Sequence, residues 1–198
     1  MSQPIGVRLF FNFRSPYCYL ASKTLWAMFD NYPTSLHWYP VGGWDLRSSP
    51  DVARSKMPLA RQDIARFARR LKIPYNPPPP ETDPTLAGAG SLYAEHAGLL
   101  RPYIQTVMHA EWGEGKNIGD PDVLLALAEQ IGLDRQEFAD AIHREENHRQ
   151  LLRHAEIAKE HGVIGVPTFM VGEQIFWGQD RIDFVLEELD RLTEPGDD

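Results

Sequence analysis

Short apolar runs near both ends of the chain enclose a long middle region with helical periodicity. Apolar and aromatic residues at 7–13 are bounded by turn residues, which predicts a buried strand. Ser15 followed by Pro16 is typical of a helix cap and first helical position, and later apolar positions predict a helix to about Asn31. A second strand is predicted at 35–41.

The middle of the chain shows the apolar spacing of amphipathic helices. A stripe of apolar residues after Pro58 predicts a helix that ends near Leu71. Four consecutive prolines at 77–80 must be extended, so they connect elements and do not form one. Asp120 followed by Pro121 indicates another helix start.

Strand patterns return near the end of the chain. Thr168–Val171 and Gln174–Trp177 flank Gly172 and Glu173, which predicts a hairpin, and Asp180 is predicted to cap the last helix. The resulting order is β-α-β, a helical block, and then α-β-β-α.

Removing the helical block leaves a thioredoxin-like order of elements. We therefore predict an α/β protein with a thioredoxin-like fold and a large all-helical insertion. The predicted thioredoxin-like domain comprises 1–42 and 146–198, and the inserted helical domain comprises 43–145.

Composition and charge narrow the class of protein. Hydrophobic residues make up 42% and charged residues 24%, an ordinary globular balance, and no apolar run approaches the roughly 18 residues of a membrane helix. The net charge of −8 argues against a nucleic-acid partner. The N-terminal residues lack the basic and apolar regions of a signal peptide, so the expected location is the cytoplasm, with no membrane partner.

The single cysteine limits the possible chemistry. Cys18 can form no internal disulfide and no clustered-thiolate zinc site, and we expect no metal. It lies one helical turn after Ser15, where a small buried residue is the expected role. Without a second cysteine it cannot carry out dithiol exchange.

Ser15 lies at the predicted junction of a strand and a helix, where free backbone N–H groups stabilise an anion. Its hydroxyl could donate to an external thiolate, or it could act only as a helix cap. Pro167 precedes the third strand, and a cis Val166–Pro167 bond would bring backbone groups of Val166 beside Ser15. An ordinary trans proline is the alternative.

Two other groups of residues have simpler interpretations. The segment 54–72 contains seven basic residues and only Asp63 as an acid, so it either attracts an acidic small molecule or forms a solvated helix face. His143, His148 and His154 lack a compact metal-ligand spacing and are interpreted as surface residues of helices.

Three segments together resemble one family. The segments are 11–21 (FNFRSPYCYLA), 162–169 (GVIGVPTF) and 176–181 (FWGQDR), and Lys56, seven residues before Asp63, fits the same pattern. They are similar to the DsbA-like branch that contains 2-hydroxychromene-2-carboxylate isomerases and kappa-class glutathione transferases. Serine stands at the position of that branch's redox cysteine.

The resemblance implies a glutathione-dependent isomerase of an aromatic-degradation intermediate, such as 2-hydroxychromene-2-carboxylate, and a homodimer. It implies that Ser15 is catalytic and donates to the glutathione sulfur. The other implied glutathione-binding residues are Lys56, Val166, Pro167, Gln179 and Asp180. Lys56 would face glutathione or an acidic substrate. The Val166 backbone would pair with the cysteinyl part of glutathione, and Gln179 and Asp180 would hold its γ-glutamyl end.

Three alternatives remain at this point. A kappa-class-like glutathione transferase would use the same thiolate site for a different reaction. A DsbA-like thiol–disulfide oxidoreductase would have to use Cys18 alone. A glutathione-binding protein without enzymatic activity would show no turnover of electrophiles.

Overall fold

The computed structural model describes residues 3–193, which form one four-stranded sheet flanked by helices. The strands are β1 (Ile5–Phe11), β2 (Thr34–Pro40), β3 (Thr168–Val171) and β4 (Gln174–Trp177). Their order in the sheet is β2-β1-β3-β4. β1 pairs parallel to β2 and antiparallel to β3, and β3 pairs antiparallel to β4. This sheet confirms the predicted strands and the hairpin.

The helices form two groups, one that surrounds the sheet and one that makes up the insertion. Around the sheet lie α1 (Pro16–Ala21), α2 (Ala27–Asp30), α8 (Glu145–Glu160) and α9 (Ile182–Thr193). Between β2 and α8 lie α3 (Pro50–Leu71), α4 (Thr85–His96), α5 (Leu100–Met108), α6 (Pro121–Gln130) and α7 (Arg135–His143). A π-helical segment, His109–Gly113, follows α5 directly. The α/β fold with a helical insertion is confirmed, whereas the domain boundaries near residues 43 and 145 stay predictions.

Within residues 3–193, no helix is both long enough and apolar enough to span a bilayer. α3 has 22 residues but carries many charged side chains.

One hydrophobic core joins the sheet to the insertion. Phe13, just beyond β1, packs edge-on against Trp38 of β2 and Tyr103 of α5, with ring centroids 6.3 and 5.8 Å away. Tyr103 in turn contacts Phe138 of α7 at 5.8 Å. All four rings are buried. Phe13 lies two residues before Ser15, so packing in this core fixes the chain that leads to Ser15.

Two helix boundaries differ from the predictions. The helix after Pro16 ends at Ala21, because the Ser22 hydroxyl donates to the Tyr19 carbonyl and the Trp26 indole donates to the Ser22 carbonyl. These bonds replace helical ones. α3 begins at Pro50, eight residues before the predicted start, and includes Pro58. A proline at the first helical position suits that start, since no intrahelical partner exists there for its missing N–H.

His154 is buried in α8, so its interpretation as a surface residue is wrong. Its Nδ1 lies 2.9 Å from the Pro40 carbonyl oxygen, and its Nε2 lies 2.8 Å from the Gln150 amide nitrogen. A neutral ring satisfies both contacts, with Nδ1–H donating and Nε2 accepting. Burial is the main cause that lowers the pKa of His154 below its usual value.

This lowered pKa predicts a loss of stability in mild acid. Below about pH 6.5, the ordinary histidine pKa, the unfolded chain takes up a proton that the folded chain resists, so the unfolding free energy falls. His154→Gln should reduce this fall, and urea unfolding at a series of pH values would measure it. His143→Gln, at an exposed position, is the control; equal slopes for His154→Gln and wild type would contradict the prediction.

Candidate active site

Ser15 connects β1 to α1 and caps the helix, as predicted. Its extended backbone places Oγ 3.3 Å from the Cys18 backbone nitrogen, which donates to it. The Ser15 hydroxyl donates to the Val166 carbonyl oxygen at 3.5 Å, the outer limit of a hydrogen bond. Ser15 is buried. The oxygen is therefore held in place, while its proton is only weakly engaged and could be donated to an anion.

The segment around Pro167 lies beside Ser15 and is tied to the end of β4. The Val166–Pro167 bond is cis, the alternative that brings the Val166 backbone beside Ser15. The Gly178 backbone nitrogen donates to the Pro167 carbonyl at 2.9 Å. Gly178 has φ +116°, and a Cβ there would lie 2.6 Å from Asp180 Oδ1, so the turn that makes this bond requires glycine.

Gln179 and Asp180 lie in a short 3₁₀ turn, Gln179–Arg181, that packs against α1. Gln179 is buried, whereas the Asp180 side chain is half exposed and pairs with Arg181 at 2.8 Å. Asp180 therefore lies within the turn and does not cap α9, which corrects its predicted role as a helix cap. The reason is that its carboxylate is bound to the neighbouring guanidinium and not to a backbone N–H.

Tyr17 lies between this turn and α3. Its hydroxyl donates to Asp63 Oδ2 at 3.3 Å. Burial first, and then the negative charges of Asp63 and Asp180, raise the pKa of Tyr17 to about 12. The phenol is therefore neutral at physiological pH and remains a hydrogen-bond donor.

Lys56 is exposed on α3, two helical turns before Asp63 and so on about the same face. Seven residues correspond to about 10 Å along a helix axis. The structure thus gathers Ser15, Val166, Pro167, Gln179 and Asp180 around α1. That Lys56 contacts a ligand stays a prediction.

Cys18 is fully buried beneath Ser15, which confirms the expected role of a small buried residue. Burial raises the pKa of its thiol to about 12. A thiol in this state is not a nucleophile at neutral pH, since the thiolate is the reactive form.

Sequence reasoning missed a polar network next to Ser15. Buried Asn12 accepts from the Arg14 backbone nitrogen at 2.9 Å and donates to the carbonyls of Gly43 and Asp45 at 3.4 and 3.3 Å. Arg47 also donates to the Gly43 carbonyl, at 3.2 Å. Asn12 therefore links the Ser15 loop to the loop after β2. The only sequence signal was that Asn12 and Arg14 fall inside the segment 11–21 that resembles the family.

Glu111 is a second missed residue, fully buried in the π-helical segment. Arg14 Nη1 lies 3.8 Å from its Oε1, and Arg14 also donates to the Pro79 carbonyl at 3.1 Å. Burial raises the pKa of Glu111 well above its usual value, although Arg14 and Arg47 oppose this shift. Only the three-dimensional structure shows this carboxyl group beneath the Ser15 loop.

Several known proteins are similar to this chain over most of its length. A 2-hydroxychromene-2-carboxylate isomerase of Pseudomonas sp. (strain C18) is 26% identical over 197 residues, covering 91% of this chain and 88% of that protein. The uncharacterized protein YwbO of Bacillus subtilis (strain 168) is 28% identical over 187 residues, covering 88% of this chain and 90% of that protein. The solved structure of a 2-hydroxychromene-2-carboxylate isomerase superposes with a TM-score of 0.82 at 24% identity, covering 95% of this chain and 96% of that one.

The solved structure shares the fold, and the family model describes almost the whole chain. That model, the DSBA-like thioredoxin domain, matches residues 6–190, which include all of the sheet except Ile5, the insertion and every residue of the candidate site. The chain therefore belongs to the family of DSBA-like thioredoxin domains.

Proposed function

We propose that this protein is a glutathione-dependent isomerase that acts on a conjugated intermediate of aromatic-compound degradation. Relatives named 2-hydroxychromene-2-carboxylate isomerase, at 25–26% identity over about nine tenths of the chain, support an isomerase. The observation that carries the proposal is the Ser15 hydroxyl, held by the Cys18 backbone nitrogen with its proton only weakly engaged. Cytoplasmic location and a homodimer stay predictions.

The residues present fit glutathione. Ser15 would donate its proton to the sulfur in place of the 3.5 Å bond to the Val166 carbonyl. The Val166 backbone would bind the cysteinyl part, and Gln179 and Asp180 the γ-glutamyl end. Asp180 already binds a cation, Arg181, so its carboxylate suits the ammonium group of that end.

When bound, glutathione supplies a nucleophilic thiolate that can add to a conjugated carbon and leave again. Ser15 would keep that sulfur ionised, because a charge-assisted hydrogen bond favours the charged form. Tyr17, neutral and next to Asp180, would stay a donor at the edge of the site. Exposed Trp177 would offer an apolar surface to an aromatic substrate.

Trp177 is held close to this site. A Cβ at Gly165 would lie 2.7 Å from the Trp177 indole nitrogen, so the ring packs directly on the backbone before Val166.

The direct test is the isomerisation of 2-hydroxychromene-2-carboxylate, followed by absorbance. Turnover should require glutathione, and S-methylglutathione, which has no free thiol, should not replace it. Equal rates without glutathione would contradict the proposal.

A thiol–disulfide oxidoreductase would depend on Cys18, whereas this proposal does not. Cys18→Ala should keep most of the glutathione-dependent activity, because the thiol is buried and its pKa is about 12. Steady-state kinetics would measure the effect, with insulin reduction as a second assay. A loss of about 100-fold, which equals about 2.7 kcal/mol of transition-state stabilisation, would mean that Cys18 takes part in the reaction.

A further inference from the structure

Two arginines lie at the carboxyl ends of the neighbouring parallel strands β1 and β2. Arg14 follows β1 and Arg47 follows β2, and Asn12 ties both loops together. The Asn12 amide and the Arg47 guanidinium donate to the same carbonyl, that of Gly43, at 3.4 and 3.2 Å. Ligands of open α/β sheets bind beyond the carboxyl ends of the strands, so this is a favourable place for a ligand.

The positive charge of this pair is not fully balanced. Arg14 is nine tenths buried, and Glu111 lies 3.8 Å away, so one buried carboxyl group serves two guanidinium groups. Burial raises the pKa of Glu111 well above its usual value, which weakens it as a counter-charge. Burial, and next the positive charge of Arg14, lower the pKa of Arg47 to about 10. Glu111 and Asp83 oppose this shift, because their charges raise the pKa of Arg47. Burial also lowers the pKa of Arg14, and Glu111, Glu81 and Tyr75 oppose that lowering. Buried cations need a counter-charge, so an anionic ligand would stabilise the pair.

The arginines retain capacity for such a ligand. Among residues 3–193, the buried Nε of Arg14 has no hydrogen-bond partner, and neither has either carboxyl oxygen of Glu111. Arg47 is half-buried and borders the loop surface. The Arg47 guanidinium is therefore more accessible to a ligand than the Arg14 guanidinium.

Aromatic rings lie against both guanidinium groups. The Arg47 guanidinium lies 4.0 Å from the ring centroid of Trp44, and that of Arg14 lies 5.1 Å from Trp112. Trp112 is stacked on Tyr75, with an angle of 8° between the ring planes. Trp112 is buried, whereas Trp44 is half exposed, so a flat, conjugated group would find an apolar surface at Trp44 beside Arg47.

We propose that Arg14 and Arg47 form a subsite for a carboxylate carried by a conjugated or aromatic substrate, and that this subsite selects acidic electrophiles. The inference rests on the proposed function for the reaction but names residues that this function does not use. Arg47 makes the accessible contact, and Arg14 fixes the Ser15 loop to the insertion through the Pro79 carbonyl.

Binding can be measured without catalysis. Benzylpyruvate and benzylacetone differ only in that a carboxylate replaces a methyl group, and neither has the double bond that reacts with thiols. Calorimetric titration in the absence of glutathione should show that wild type binds benzylpyruvate more tightly. Arg47→Gln should weaken benzylpyruvate binding by about tenfold to 100-fold, the range of a charge-assisted hydrogen bond, and leave benzylacetone unchanged.

Control variants and a glutathione titration distinguish a site for the substrate's carboxylate from a site for the carboxylates of glutathione. Arg54→Gln removes an exposed arginine that pairs with Asp51 on α3, and it should change neither affinity. Glu111→Gln removes the carboxyl group that competes for the arginines, so it should keep or strengthen benzylpyruvate binding. Glutathione affinity should be unchanged in Arg47→Gln; a loss confined to glutathione would assign the arginines to its own carboxylates and overturn the inference.

Equal affinity of wild type for the two probes would also overturn the inference. Tight, Arg47-dependent binding of benzylpyruvate by a protein that shows no glutathione-dependent turnover would support this subsite and refute the proposed function alone.

Discussion

Ser15→Ala should lower kcat/KM for the glutathione-dependent isomerisation by about tenfold to 100-fold. The substitution removes a hydrogen bond from the Ser15 hydroxyl to the sulfur anion, and such charge-assisted bonds contribute about 1.5–3 kcal/mol. Backbone N–H groups of α1 and the Val166 contact remain, so activity should fall and not vanish. Steady-state kinetics at saturating glutathione would measure the effect.

The same substitution also removes a helix cap, which costs about 1 kcal/mol of stability. Ser22→Ala is the matched control, because it deletes a buried hydroxyl in the chain segment that follows α1, away from Val166. It should lower stability and leave kcat/KM nearly unchanged. If both variants lose activity equally, the loss reflects helix stability, and Ser15 has no chemical role.

Phe138→Ala should produce a large loss of folding stability, about 3–5 kcal/mol, the usual range for removal of a buried phenylalanine. Phe138 is fully buried in α7, where its ring contacts Tyr103 at 5.8 Å and Tyr93 at 6.2 Å. Tyr103 continues this cluster to Phe13, two residues before Ser15. A cavity in the insertion should therefore also loosen the loop that carries Ser15.

Urea unfolding followed by circular dichroism would measure this loss. Phe184→Ala, at an exposed position of α9, removes a side chain of the same size and should change the midpoint little. A similar small change for Phe138→Ala would contradict the view that one core joins the sheet to the insertion.

Local signals along the chain predicted the elements that hold the site. The apolar run before Ser15, the Ser15-Pro16 cap and the hairpin at Gly172 depend on neighbouring residues, and all three are confirmed. The end of α1 was predicted wrongly because side chains compete there for backbone groups. Ser22 ends α1 because its own hydroxyl and the Trp26 indole take over hydrogen bonds that the helix would otherwise make.

The family resemblance, and not periodicity, singled out Gln179 and Asp180 as candidate site residues. Neither periodicity nor the resemblance could show that Glu111 lies beside Arg14. Glu111 lies 97 residues after Arg14 in the sequence, and its burial results from the π-helical turn and from the packing of the insertion on the Ser15 loop. A chain pattern contains no information on such contacts, so sequence alone could not distinguish Glu111 from a solvated glutamate. His154 escaped prediction for the same reason, since its partner Pro40 is on another element.

An ultraviolet absorbance titration of the glutathione thiol bound to the protein tests directly whether Ser15 stabilises the thiolate. The thiol pKa of glutathione bound to wild type should lie below that of free glutathione. Ser15→Ala should raise the bound value by about one to two pKa units, since it removes one charge-assisted hydrogen bond to the thiolate. Identical titration midpoints for wild type and Ser15→Ala, with glutathione bound in both, would contradict the claim that Ser15 stabilises the thiolate.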